Sequence, residues 1–101
     1  MFERAPDGTA FELFGDKDAP PIVLIHGLGL CRQLWRDHLP EFLNQFRVLS
    51  YDLYGHGDSA PASQTLSLTV FAKQLSDLMD YLAIKKVSVI GFSIGDRKSV
   101  V

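Results

Sequence analysis

The chain has 101 residues, of which 47% are hydrophobic and 22% charged, with a formal net charge of −2. That balance suits a packed globular domain and excludes a disordered tail, and it gives no electrostatic basis for binding nucleic acid or an anionic membrane surface. Met1 to Asp7 carries acids and a proline where a secretory leader needs an apolar core, and no apolar run reaches a membrane span, so a cytoplasmic location is the expectation.

Pro6-Asp7-Gly8 separates Met1–Ala5 from Thr9–Phe14, and its Asp-Gly pair is a turn signal, so an antiparallel edge hairpin is expected. Gly15 to Pro21 reads as a surface loop. Ile22-Val23-Leu24-Ile25 lacks polar alternation, as a strand covered on both faces does. Leu34, Trp35, Leu39, Phe42 and Leu43 then fall at near-helical spacing, with Pro40 starting or kinking a short helix. Phe46 to Tyr51 is the next strand. Leu68, Phe71, Leu75, Leu78, Met79 and Leu82 recur at three and four, which predicts an amphipathic helix capped by Ser67 and ending near Ala83. Val87 to Ile90 is the last apolar strand. Strands alternating with helices imply an α/β domain over residues 1–95, its sheet mostly parallel, with an N-terminal antiparallel hairpin and flanking helices.

Three glycine motifs each follow an apolar run: His26-Gly27-Leu28-Gly29, Asp52-Leu53-Tyr54-Gly55-His56-Gly57-Asp58-Ser59, and Gly91-Phe92-Ser93-Ile94-Gly95. The last is a G-x-S-x-G pentapeptide, which reads as a nucleophile on a sharp strand-to-helix turn, with Gly91 and Gly95 leaving the space that such a turn needs. Taken alone it equally fits a buried serine in plain packing. The three motifs in this order resemble the N-terminal half of the α/β-hydrolase family, and the D-x-x-G-H-G-x-S string is typical of its esterase and lactonase branches, which include 3-oxoadipate enol-lactonases. The resemblance runs from Thr9 to Gly95.

That resemblance implies roles. Ser93 would be the nucleophile, and the backbone amides of Leu28 and Ile94 would form the oxyanion hole. The family's base lies downstream of its nucleophile, so His26 is read as a loop-fixing residue. Asp52 and Ser59 are expected to hydrogen-bond loop amides, while Gly55 and Gly57 make the tight exit from a strand. His38 and His56 are read as surface or loop residues. The three histidines show no paired ligand spacing and Cys31 is the single cysteine, so neither a metal nor a disulfide is expected, and the reading calls for no cofactor. The implied parent is a serine-dependent hydrolase of small ester, lactone or related carbonyl substrates. Serine at the elbow argues against the dehalogenase and epoxide-hydrolase branches, which use a carboxylate there. The alternatives are a non-catalytic small-molecule-binding protein on the same fold and an acyltransferase.

Asp96 to Val101 does not resemble the helix that follows the family's nucleophile. The codons GAT CGG AAG AGC GTC GTG encode these six residues and match a widely used sequencing-library adapter, so 96–101 is read as a non-native tail. On this reading the chain is an N-terminal fragment lacking the acid and histidine of a triad. It is expected to be inactive and poorly stable, with the Val87–Ile90 strand left as an open apolar edge.

Overall fold

A computed structural model describes residues 2–62, 65–93 and 97–100. β1 (Glu3–Arg4) and β2 (Ala10–Phe14) form the antiparallel hairpin expected around Asp7-Gly8, closed by the Gly8 N–H donating to the Ala5 carbonyl. β3 (Pro21–Ile25) follows, then a 3-10 helix (Arg32–His38) running into α1 (Leu39–Leu43), where Pro40 sits in the first turn and its missing N–H costs nothing. β4 (Arg47–Tyr51), α2 (Leu68–Tyr81), β5 (Ser88–Ser93) and β6 (Arg97–Val100) complete the order. Among the described residues, six strands form one sheet in the order β1-β2-β4-β3-β5-β6. β4 and β5 flank β3 in parallel, and the pairings to β2 and β6 are antiparallel.

Side chains alternate across a strand, which splits the core in two. Val23, Leu49 and Tyr51 pack on one face with Phe11, Leu53 and Leu78, joined by Phe71 and Leu75 of α2 and by Leu82 just after it. Ile22, Leu24 and Val48 face the other way, onto Trp35, Leu34, Leu39 and Phe42. The central strands are thus covered on both sides, which is why Ile22 to Ile25 shows no polar alternation. Each fully buried aliphatic side chain contributes about 1.5–3 kcal/mol, so these two layers, rather than helix propensity, hold the short helices in place.

The ends of α2 explain its length. Ser67 adopts an extended backbone and its hydroxyl accepts from the Val70 N–H at 3.2 Å, the N-cap expected from the sequence. At the other end Ala83 takes φ +57°, its N–H donates to the Asp80 carbonyl and the Ile84 N–H reaches the Met79 carbonyl. That double bond pattern with a left-handed residue is a Schellman cap, here built on alanine.

β5 departs from the expectation. It extends to Ser93 and pairs with β6, with Ile90 opposite Val100 and Ser93 opposite Arg97. The outer edge of β5 is therefore covered from Ile90 to Ser93, which takes in only Ile90 of the Val87–Ile90 run expected to be open. Ser93 is the last residue of β5 and lies opposite Arg97 of β6. The physical reason is local: no helix-forming run follows, and Ser99 and Val100 suit a strand that satisfies the backbone groups an edge would leave unpaired. Ile94, Gly95 and Asp96 lie outside the described residues.

Candidate active site

The registers bring three chain exits to one edge of the sheet. Ile25, the last residue of β3, lies opposite both Tyr51 at the end of β4 and Gly91 in β5. The segments starting at His26 and Asp52, and the end of β5 at Ser93, therefore leave the parallel strands on the same side. The connections flanking β3 pass over opposite faces, and open α/β sheets bind ligands beyond the carboxyl ends of the strands at such a switch point. Ile94 and Gly95, read as an oxyanion donor and a turn glycine, fall outside the described residues.

The first exit is a tight turn in which the Leu30 N–H donates to the Gly27 carbonyl at 3.1 Å and Gly29 takes φ +80°. His26 is buried, at 1% exposure, and ties this turn to the second exit. Its Nε2 accepts from the Leu53 N–H at 2.9 Å, which leaves the proton on Nδ1 to donate to the Gly27 carbonyl at 2.7 Å. Burial pushes the His26 pKa below its ordinary value, with His56 adding to the effect, and the Gly27 carbonyl and Asp52 do not reverse it. The ring is thus neutral with both nitrogens engaged. Because a trans peptide points its N–H away from its C=O, fixing the Gly27 carbonyl also fixes the Leu28 N–H. No described residue accepts from that N–H, and the Leu28 side chain is 51% exposed.

The second exit is organised by Asp52, fully buried. Its carboxylate accepts from the Arg32 N–H at 2.7 Å, from the Asp58 N–H at 3.0 Å and from the Arg32 guanidinium. Its carbonyl accepts from the Ser59 hydroxyl at 2.6 Å, and Ser59 Oγ in turn accepts from the Ala10 N–H at 2.8 Å. Gly57 passes against the Asp52 carboxylate where a Cβ would overlap it, whereas Gly55 (φ +74°) turns in open space. Half-buried His56 accepts on Nε2 from the Gly29 N–H at 3.0 Å and bonds the Tyr54 carbonyl through Nδ1 at 2.9 Å. His38 is exposed at the end of the 3-10 helix.

Two residues that sequence reasoning passed over hold this edge together. Arg32 is 6% exposed, and its guanidinium reaches Asp52, Asp58 and Glu12 and stacks on the Phe2 ring at 4.7 Å. Burial would depress its pKa, but the hydrogen bonds to those carboxylates outweigh it and raise the value, so the charge is permanent. Gln74 is buried in α2, donates to Thr9 Oγ1 and the Asp52 carbonyl, and accepts from the Tyr54 N–H. Among the described residues no group of three His, Cys, Asp or Glu side chains is placed to hold a metal ion, and no helix is long and apolar enough to cross a membrane.

Comparison with known proteins gives a consistent picture. Residues 20–95 match the family profile described as the alpha/beta hydrolase fold. The chain is 32% identical over 84 residues to 3-oxoadipate enol-lactonase 1 of Acinetobacter baylyi, covering 83% of this chain and 31% of that protein. It is 33% identical over 82 residues to an uncharacterised carboxylesterase of Bacillus subtilis, covering 80% and 27% respectively. The crystal structure of the enol-lactonase from Burkholderia xenovorans superimposes with a TM-score of 0.82 at 29% identity, over 94% of this chain and 38% of that one. The chain spans less than half the length of each.

Proposed function

Because this chain belongs to the α/β-hydrolase fold family, we propose that the whole protein is a serine-dependent hydrolase of small ester, lactone or related carbonyl substrates. What supports this reading is the Leu28 amide, unpartnered among the described residues and fixed in direction by the held Gly27 carbonyl, in the turn that leaves β3 at the sheet edge where β5 ends at Ser93. In the reaction, Ser93 Oγ attacks the substrate carbonyl carbon as its proton passes to a base. The carbonyl π electrons move onto oxygen, where the Leu28 N–H and, on the family pattern, the Ile94 N–H stabilise them. Collapse breaks the bond to the leaving oxygen, which takes the proton back from the base and departs as an alcohol, leaving an acyl-serine that water cleaves by the same route. His26 and His56 have both ring nitrogens engaged, so neither supplies the base. We assign the base to a residue outside these 101, and on this reading the isolated chain should not turn over a p-nitrophenyl ester.

The test uses the whole protein and a p-nitrophenyl ester. Ser93→Ala should lower kcat by about 10⁴-fold or more, and a fluorophosphonate should label Ser93 and nothing else. Leu28→Met should be mild, while Leu28→Pro, which deletes the N–H, should cost about 2.7–4 kcal/mol of transition-state stabilisation in a protein whose circular dichroism is unchanged. Undiminished turnover in Ser93→Ala would overturn the reading.

A further inference from the structure

The first exit turn is closed by the Leu30 N–H on the Gly27 carbonyl, and its third residue, Gly29, has φ +80°. Those are the marks of a type II turn, in which the second residue, Leu28, takes φ near −60°. Leu28 is not among the residues with positive φ, as this requires. At such an angle the Cα–Cβ bond of an L-residue eclipses its own N–H, so the two point the same way. With standard bond lengths, an oxygen that accepts from that N–H at about 2.9 Å stands about 3.5 Å from Cβ, which is van der Waals contact. Whatever the Leu28 amide holds, the Leu28 side chain therefore touches. That side chain has no structural duty among the described residues. It is 51% exposed and belongs to neither core layer, and the turn is set by His26 and the closing bond, both through the backbone.

We propose that Leu28 determines specificity as well as donating to the oxyanion: its side chain is an apolar wall against one substituent of the substrate's carbonyl carbon, and that substituent is an uncharged carbon chain or ring. The proposal rests on the reading of the Leu28 amide as an oxyanion donor, and it narrows the substrate class of that same site. The first atom of each substituent lies about 2.4 Å from the oxyanion, well inside the reach of an isobutyl group that starts beside it. A methylene placed there covers apolar surface on both partners. A carboxylate or ammonium would lose water against a surface that offers no hydrogen bond in return.

The experiment uses the whole protein and reads the ratio of kcat/KM for two substrates in one variant, so a general loss of activity cancels. p-Nitrophenyl acetate against p-nitrophenyl butanoate varies the acyl substituent, and methyl acetate against butyl acetate varies the leaving one. In one of these pairs Leu28→Ala should lower the preference for the longer substrate by about 3- to 10-fold, the contact of one or two methylenes. Leu28→Asn, close to leucine in size but polar, should lower it as far. Leu30→Ala is the control, since Leu30 is 41% exposed in the same turn but spends its N–H on the Gly27 carbonyl; neither ratio should move. Ratios unmoved in both Leu28 variants, or moved equally in Leu30→Ala, would overturn the proposal. Ser93→Ala and Leu28→Pro test the reading beneath it: turnover surviving in both overturns that reading, whereas unmoved ratios beside two inactive variants overturn this proposal alone. The unsubstituted protein gives a second readout. After reaction with an ethyl p-nitrophenyl alkylphosphonate, which loses nitrophenol and leaves an alkyl and an ethoxy group on phosphorus at Ser93, the Leu28 methyls should show nuclear Overhauser effects to protons of one of those groups. Their absence would also overturn the proposal.

Discussion

At Gly57 the chain runs so close to the Asp52 carboxylate that a single added carbon would have no room, and φ there is +49°. Gly57→Ala should therefore carry two penalties, backbone strain and displacement of a buried acid, together about 2–4 kcal/mol. Gly29→Ala, at φ +80° with nothing near the new carbon, should carry the strain alone, about 1–2 kcal/mol. Urea midpoints of the two variants compare them directly, and equal losses would mean that the Asp52 carboxylate does not sit against the loop. Around it, Arg32 bonds three carboxylates, of which Asp52 is buried and Asp58 exposed; removing Arg32 or Asp52 singly is the costly change, because either deletion leaves a buried charge without its partner.

For α2, the cap at Ala83 is a place where the sequence is not optimal. An alanine at φ +57° carries strain that glycine does not, so Ala83→Gly should raise stability by about 1 kcal/mol, read as a higher thermal midpoint. A lower midpoint would show that the Ala83 side chain contributes packing that outweighs the strain. The helix itself was legible from its spacing, and so were its Ser67 cap, the central strands and the N-terminal hairpin, since periodicity and turn chemistry are local signals. Gln74 was half legible: it falls four residues after Val70 and four before Leu78, on the buried face, where a polar residue must find partners. Arg32 left no signal, because Glu12, Asp52 and Asp58 lie 20 to 26 residues away and nothing local marks their meeting. The β5–β6 pairing was missed because a single apolar run does not say which neighbour will satisfy its edge.

Across the whole molecule, burial of His26 links stability to pH. Its folded pKa lies below the value near 6.5 of an unfolded chain, so on acidification the unfolded state takes up a proton that the folded state refuses. The contribution of His26 is complete above about pH 6.5 and declines as pH falls from there toward the folded pKa, by up to about 1.4 kcal/mol per pH unit. Denaturation free energies of the whole protein between pH 5 and 8 should show that slope, and His26→Asn should flatten it; a slope unchanged by the substitution would assign it to other groups. The same architecture bears on how such a protein can diversify. The turn from Gly27 to Leu30 is set through carbonyls and amides, by His26, His56 and its own closing bond, while the side chains of Leu28 and Leu30 stand 51% and 41% exposed. Shape here is inherited through the backbone, and the residues that face outward from it are free to drift. The exposed side chains of this turn can therefore change one at a time without altering the geometry beneath.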